Sequence, residues 1–345
     1  MQEILKHHEK VVLLEKREKD GESFVNDYRV VRTVKEGKFS KVILCEKDGK
    51  FYGIKKYEKK VLEKQREFYK SNKCAPVIIR SKYDDIKKEL EILADIKNEY
   101  CLSCDEIITN YNEIYIVNNY MENESILQYD GTFFVVHKNE HTFIALPVIK
   151  CIVKSVLKSL VYIHTIKNIC HRDVKPSNIF LSKSGIIKLG DFGESQYMMT
   201  NREIHGTKGT YEFMPPEFFT NESCYYGEKV DIWGLGICLY ALFYRVLPFT
   251  QRKSLIQLFQ DIGRGQVQYH LNRNNFLYEY TKKKFPSCDR SLSNMDIEFL
   301  SYLLRKNPRD RFSSEEALEH EWLKDVNYTY IQQYAEEIYK KKKEL

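Results

Sequence analysis

Two polar motifs in the middle of the chain constrain it more than anything else in the sequence. The first is His171-Arg172-Asp173-Val174-Lys175-Pro176-Ser177-Asn178. The second is Asp191-Phe192-Gly193, with Asp191 standing 18 residues after Asp173. Either one alone is a handful of common residues of the kind found in surface turns. Held at this internal and mutual spacing, the two do not coincide by chance. They lie in the second of two regions whose hydrophobic periods differ.

In the first region apolar residues alternate. Residues 28–34, 41–46 and 51–56 read as three strands, with Asp48-Gly49 as the hairpin turn between the last two. Further strands fit 106–110 and 113–117. Residues 84–97 read as an amphipathic helix with Ile86, Leu90, Leu93 and Ile96 on one face. From Pro147 the period changes: Ile149, Ile152, Val153, Val156, Leu157 and Leu160 recur at three and four, and most of the remainder is helical. The expected fold is α+β and bilobal, a small strand-rich lobe (28–121) ahead of a larger helical lobe (122–323). Residues 1–27 are charged, carry an apolar patch at Val11-Val12-Leu13-Leu14 and read as a peripheral extension. Residues 57–80 are basic, show no clear strand alternation and read as an insertion. Residues 324–345 read as a charged helix.

The two motifs resemble the catalytic loop and metal loop of the eukaryotic protein kinases. A lysine two residues after the aspartate, followed by proline, resembles the serine/threonine branch. The resemblance extends over residues 28–323. It implies a bilobal kinase fold that takes ATP and Mg²⁺ between its lobes and has a Ser or Thr hydroxyl of a protein substrate as acceptor. Asp173 would orient that hydroxyl and accept its proton, and Lys175 would stabilise the phosphoryl group in flight. Asn178 and Asp191 would supply oxygen ligands to Mg²⁺.

Val34-Lys35-Glu36-Gly37-Lys38-Phe39-Ser40-Lys41-Val42 resembles the glycine-rich loop that covers ATP phosphates. Of its three glycines only the middle one, Gly37, is present; Lys35 and Ser40 take the other places. Lys35 and Lys38 add charge where close backbone approach is reduced. Tyr52-Gly53-Ile54-Lys55 resembles the strand whose lysine holds the α- and β-phosphates, and alternation turns Lys56 away. The partner of Lys55 is expected at Glu89, in Glu89-Leu90-Glu91-Ile92-Leu93, with Glu91 on another face. Ile114-Tyr115-Ile116-Val117-Asn118-Asn119-Tyr120-Met121 resembles the strand and hinge behind adenine. That makes Asn118 the gatekeeper, Asn119, Tyr120 and Met121 the hinge, and Phe180 the floor of the pocket. The depleted glycine loop keeps a second reading open, a nucleotide-binding pseudokinase or scaffold without turnover. Lys55, Asp173, Asn178 and Asp191 argue against it.

Gly209-Thr210-Tyr211-Glu212-Phe213-Met214-Pro215-Pro216-Glu217 resembles the close of an activation segment. Glu217 is expected to pair with Arg311, in Asn307-Pro308-Arg309-Asp310-Arg311. Asp231, in Asp231-Ile232-Trp233-Gly234-Leu235-Gly236, would anchor the catalytic-loop backbone. The second lobe most resembles the MAP-kinase kinases. Gly206 stands where many kinases carry a phosphorylated residue, with Thr200 and Thr207 nearby.

Composition narrows the partners. A net charge of +6 over 345 residues, with lysines interleaved among glutamates, describes a solvated surface and no nucleic-acid partner. Lys59, Lys60, Lys64, Arg66, Lys70 and Lys73 make the 57–80 tract basic. It reads either as a solvated loop or as a docking surface for an acidic partner. No apolar run reaches 18 residues, the N-terminus shows no signal-peptide core, and with Gln2 in second place N-myristoylation is not expected, so no membrane association is expected. The nine cysteines lack regular spacing, and Cys101-Leu102-Ser103-Cys104 reads as two ordinary thiols. A soluble protein of the cytoplasm or nucleus is expected.

Overall fold

The structure, a computed structural model, describes residues 11–19, 21–69, 78–129, 134–136, 144–220, 222–249, 254–269 and 292–344. The chain divides into two units, Met1–Lys97 with Leu102–Met121, and Asn98–Cys101 with Glu122–Leu345.

The first unit contains, in chain order, β1 (Val11–Leu13), β2 (Lys16–Lys19), β3 (Glu22–Val25), β4 (Tyr28–Glu36), β5 (Ser40–Lys47) and β6 (Lys50–Glu58). After these come helix α1 (Lys59–Lys64), β7 (Arg66–Tyr69), β8 (Ile78–Ser81), helix α2 (Lys82–Asp95), β9 (Cys104–Thr109) and β10 (Glu113–Asn119). Eight strands form one sheet in the order β1-β9-β10-β6-β5-β4-β3-β2. Asp48 and Gly49, both at positive φ, make the tight turn between β5 and β6, and Glu46 accepts the Gly49 N–H at 2.7 Å. The register Ile43↔Ile54↔Val117 lines up three apolar side chains across neighbouring strands. With Val25, Tyr28, Cys45, Ile108 and Tyr115 they make one buried cluster. Lys55 is therefore on the opposite face from that cluster.

Two expectations change here. Residues 11–25 are not peripheral. β1 pairs in parallel with β9, and β2 and β3 extend the other edge of the sheet. The strands are three or four residues long and mostly exposed, so alternation has too few periods to be read from sequence. Asn26 ties them down, accepting the Glu15 N–H at 2.7 Å and donating to the Leu13 carbonyl at 2.9 Å. The described part of the 57–80 tract is likewise structured. Within α1, Lys59 is buried, its ammonium bonded to the Asn110 carbonyl and held below the usual lysine range by burial, so it is no part of a charged surface. β7 and β8 pair as an antiparallel ribbon that runs straight into α2. There Asp84 accepts the Ser81 N–H at 3.0 Å and Ser81 hydroxyl at 2.8 Å, an N-terminal cap that lowers the Asp84 carboxyl to about 2. Lys70 and Lys73 lie outside the described residues.

The second unit is mainly helical: α3 (Leu146–Val161), α4 (Gly227–Tyr244), α5 (Leu255–Arg264), α6 (Asn294–Leu303), α7 (Ser314–Glu319) and α8 (Thr329–Glu344). α4 is buried along nearly its whole length, so it shows no polar face, as expected of a central helix. Charged α8 buries Ile331, Tyr334, Ala335 and Ile338. The Asn123 amide donates to the Ala335 carbonyl at 2.8 Å, and a side chain at Gly185 would meet the Gln332 backbone at 2.8 Å. Short antiparallel pairs (Ile179–Leu181 with Ile187–Leu189, Glu203–His205 with Cys224–Tyr226) shape the loops.

Asn26→Ala removes two hydrogen bonds and puts alanine at a φ of 50°. It is expected to destabilise residues 11–25 locally by about 1–2 kcal/mol. Native-state hydrogen exchange should show faster exchange there while the core of the sheet is unchanged.

Candidate active site

In the first unit, alternation along β6 brings Lys55 to the face where α2 presents Glu89. The Lys55 ammonium lies 3.2 Å from Glu89 Oε1, and the carboxylate is only 3% exposed. Tyr57, two residues along and on the same face, donates its hydroxyl to Glu89 Oε2 at 3.2 Å. Both oxygens of a buried acid are thus engaged. The neighbouring Lys56 points away and pairs with Glu113 at 2.9 Å, and Glu91 is exposed. Tyr57 was missed by sequence reasoning, although its i+2 position after Lys55 was the available signal.

The glycine-loop residues Val34 to Val42 form the β4–β5 hairpin. Gly37 N–H bonds the Ser40 carbonyl at 2.8 Å, Lys35 and Lys38 are exposed, and the Lys38 ammonium lies 4.9 Å from the Phe39 ring centre. Gly53 pairs with Leu44 on one side and Asn118 on the other, and the Tyr120 ring is 3.8 Å from where its Cβ would be. Asn119 donates to Asp105 at 2.8 Å, Tyr120 N–H bonds the Phe51 carbonyl at 3.2 Å, and Met121 is buried. The Asn118 side-chain oxygen is buried without a hydrogen-bond partner. An orphaned acceptor at this place suits a ligand that brings an N–H donor, as an adenine amino group does.

In the second unit a carboxylate organises the loop. Asp231, on α4, accepts the N–H of His171 and of Arg172 at 2.7 Å each, and faces His164 Nε2 at 2.8 Å. Arg172, held at a φ of 65°, turns the chain so that Asp173 follows. One Asp173 oxygen lies 2.6 Å from the Lys175 ammonium and accepts from the Asn178 amide at 3.0 Å. The other accepts the Thr210 N–H at 3.1 Å and the Thr210 hydroxyl at 2.8 Å, while Lys175 donates to that hydroxyl at 2.7 Å. Thr210 can come this close because Gly209 precedes it: a Cβ there would lie 2.4 Å from the Arg172 carbonyl. Sequence reasoning quoted Thr210 within its motif without giving it a role.

The His171 ring donates from Nε2 to the Gly190 carbonyl at 3.1 Å, and Gly190 N–H bonds the Asn178 carbonyl at 2.9 Å. Asp191, at a φ of 63°, comes next, and Phe192 meets the His171 ring edge-on at 4.9 Å. Phe180 lies on the 179–181 strand opposite Lys188. Glu217 and Arg311 form a buried two-point ion pair at 2.8 and 3.0 Å. Ser314, His164 and Asp231 are hydrogen-bonded in series, but all three are fully buried, so this is a packing element and no nucleophile. Cys101 and Cys104 are separate buried thiols.

The protein kinase domain family matches residues 28–323. The chain belongs to this family. Its similar proteins include a probable serine/threonine-protein kinase of Dictyostelium discoideum, 28% identical over 89% of this chain and 39% of the relative. The serine/threonine-protein kinase cds1 of Schizosaccharomyces pombe is 26% identical over 87% of this chain and 59% of its own. The calcium/calmodulin-dependent protein kinase kinase of Caenorhabditis elegans is 28% identical over 88% and 54%. The chain thus spans between about two fifths and three fifths of the length of these relatives. Its strand-rich unit and helix-rich unit are the α+β arrangement of a protein kinase.

Kinase domains use a divalent metal. Among the described residues no three His, Cys, Asp or Glu side chains cluster as a metal cage. The donors expected from the sequence are one carboxylate, Asp191, and one amide, Asn178. Hard oxygens in that small number suit an ion that keeps water and phosphate in its remaining positions, as Mg²⁺ does.

Burial pushes the Asp231 carboxyl up, but the His164 and backbone hydrogen bonds outweigh it and hold the group below its ordinary range. An unfolded carboxyl titrates near pH ~3.9, so this stabilisation is complete above that value and is lost as pH falls through the lower folded value. Asp231→Asn leaves an amide facing an N–H. It is expected to cost roughly 3 kcal/mol in urea unfolding at neutral pH and to remove this part of the acid sensitivity.

Proposed function

We propose that this kinase domain transfers the γ-phosphoryl group of ATP to serine or threonine hydroxyls of protein substrates. The observation that carries the reading is the Asp173 carboxylate, bonded at once by Lys175, Asn178 and Thr210. A carboxylate held this way is aimed, and it has a cation beside it. The acceptor hydroxyl would take the place of the Thr210 hydroxyl on Asp173 or share it, and pass its proton to the carboxylate as its oxygen bonds phosphorus. The bond from phosphorus to the bridging oxygen breaks, and ADP leaves. Lys175 balances negative charge on the migrating group, and Lys55, fixed by Glu89 and Tyr57, holds the α- and β-phosphates. Asn178 and Asp191 would hold Mg²⁺, which supplies charge neutralisation on the phosphates when bound. Val34, Lys35, Gly37, Lys38, Phe39, Ser40, Val42, Gly53, the 118–121 segment and Phe180 would contact the nucleotide.

Finer readings belong with this proposal. Gly37-Lys38-Phe39-Ser40-Lys41, Lys82-Tyr83-Asp84-Asp85 and Tyr211-Glu212-Phe213-Met214-Pro215-Pro216-Glu217-Phe218-Phe219 together resemble the malaria-parasite orphan kinase called protein kinase seven. Among the described residues Cys45, Cys101, Cys151, Cys170, Cys224 and Cys238 form no disulfide, which supports a reducing compartment, cytoplasm or nucleus. No helix of the described residues is long and apolar enough to cross a membrane. Lys60, Lys64 and Arg66 remain a basic surface for an acidic partner, next to the ribbon that leads into the Glu89 helix.

Purified protein with Mg²⁺, labelled ATP and generic protein substrates tests the proposal. Phosphoserine and phosphothreonine are expected; nucleotide binding without transfer would establish the pseudokinase instead. Asp173→Asn is expected to lower kcat by roughly 10²–10⁴ with ATP affinity little changed. Lys55→Met, Glu89→Gln and Tyr57→Phe act on one linked group, so the combined loss should be less than the sum of the separate losses.

The activation segment is fastened without a phosphate. Arg172 donates to the Glu194 carbonyl at 2.5 Å and the His205 carbonyl at 3.3 Å, and Lys208 lies 3.7 Å from Glu194. Gly206 sits at a φ of 75° with open space around it. Phosphatase-treated protein and Thr207→Ala are expected to keep most of their activity in the same assay.

A further inference from the structure

Helix α8 lies beyond the kinase match, which ends at residue 323. It is nevertheless tied to the place where the second unit resumes, at Glu122, directly after Met121. The Lys342 ammonium, in the last turn of α8, donates to the Glu122 carbonyl at 3.0 Å and pairs with the Glu124 carboxylate at 2.7 Å. Two turns earlier the Ala335 carbonyl accepts the Asn123 side-chain amide at 2.8 Å, and that amide also donates to the Ser182 carbonyl at 3.1 Å. Three consecutive residues are thus fastened, directly or through one neighbour, to a helix 212 to 220 positions away in the chain.

The attachment is unfavourable in its local detail. Asn123 is 2% exposed, and its side-chain oxygen has no hydrogen-bond partner among the described residues. Glu124 stands at a φ of 59°, a backbone conformation that disfavours every residue with a Cβ. An unanswered buried acceptor and a left-handed residue side by side persist only where the surroundings over-determine them. The apolar face of α8, with Ile331, Ala335 and Ile338 buried, already holds the helix in place. The polar ties to 122–124 are additional to that packing, so their effect falls on the segment they hold.

That segment adjoins two of the expected nucleotide contacts. Met121 precedes it. Along its length it is bonded to the 179–181 strand: Asn123 N–H to the Leu181 carbonyl at 3.1 Å, Leu181 N–H to the Glu124 carbonyl at 2.9 Å and Ile126 N–H to the Ile179 carbonyl at 2.9 Å. Ser125 stands opposite Phe180 in this pairing.

We propose that α8 is a positioning element for the nucleotide. By holding 122–124 it fixes the end of the 118–121 backbone and the strand that carries Phe180, the pieces assigned to the adenine ring. Asn123 and Lys342 are its positioning residues, and neither touches the reacting atoms. With a tie broken, these pieces are in place for only part of the time, and apparent affinity falls by that fraction. The inference rests on the kinase reading, which supplies the identity of the ligand.

The test uses the full chain with Asn123→Ala, Lys342→Met and the two combined. The dissociation constant of N-methylanthraniloyl-ADP with Mg²⁺, followed by fluorescence, and the KM for ATP are each expected to rise about fivefold in either single variant. That is the ratio to which the net worth of one hydrogen bond converts. At saturating ATP, kcat should stay within about twofold, because Asp173, Lys175 and Thr210 are unaltered. The double variant should lose less than the product of the single losses, since both act on one attachment. Phe299→Leu serves as the control: it thins the core around Trp322, away from 122–124, and should lower the urea midpoint while leaving nucleotide binding within about twofold. If Asn123→Ala does not fold, Lys342→Met, at a partly exposed side chain, decides alone. Unchanged nucleotide affinity in the variants overturns the proposal and leaves the kinase reading standing. So does a loss of affinity as large in Phe299→Leu, or a fall in kcat with KM unchanged. If the unaltered chain binds the analogue without phosphorylating any acceptor, the kinase reading fails and the titration still judges α8. No binding of the analogue to the unaltered chain rejects both.

Discussion

The Asp231 carboxylate is the interaction on which the rest of the second unit depends. It is the fifth residue of α4. It is almost fully buried, and a buried carboxylate is tolerable only when its oxygens are answered. Its donors come from two separate stretches of chain, His164 after α3 and the backbone of His171 and Arg172. The catalytic loop cannot shift without stripping hydrogen bonds from a charge that water cannot reach. That is why Arg172 stays at a positive φ and why Asp173 emerges at one defined place.

The first unit is governed by register. Ile43, Ile54 and Val117 have to share a face because only that face packs the apolar cluster. Lys55 is then forced to the other face, toward Glu89. A slip of one residue would bury Lys56 in its place and expose the cluster, so the hydrophobic requirement specifies the position of a charged group. The Ser81–Asp84 cap acts at the start of α2 and sets where that helix begins. Between them, a packed face and a helix cap determine an ion pair that neither of its members specifies.

The activation segment follows a different logic. Its neighbours are bound largely through backbone carbonyls and a β-ribbon, from Glu203–His205 to Cys224–Tyr226, with ion pairs from Lys208 to Glu194 and from Arg202 to Glu228. Hydrogen bonds of this kind do not require a modified residue, and Gly206 offers no hydroxyl to modify. The same segment carries Tyr211 and Phe219 to their ring contacts with Phe259 on α5.

Much of this was legible in the sequence, because the relevant signals are local. Alternation with Asp48-Gly49 marked β4 to β6, the three-and-four spacing marked α2 and α3, and the paired motifs nominated Asp173, Lys175, Asn178 and Asp191. Glu89 could be nominated from the resemblance of its helix to that of the family, and spacing separates its face from that of Glu91. What stayed hidden depends on residues far apart in the chain. The strands β1 to β3 and the β7–β8 ribbon are too short for a period to show, and they exist only because a neighbour supplies hydrogen bonds. Tyr57 on Glu89, Thr210 on Asp173 and Lys306 on the Ile262 carbonyl of α5 are contacts across 32, 37 and 44 positions. By itself the sequence determined which chemical groups are present and the face each takes on its own strand or helix, because side-chain direction follows from local backbone geometry. Only the tertiary structure decided which groups meet, because burial and hydrogen bonding between distant segments are satisfied together or not at all.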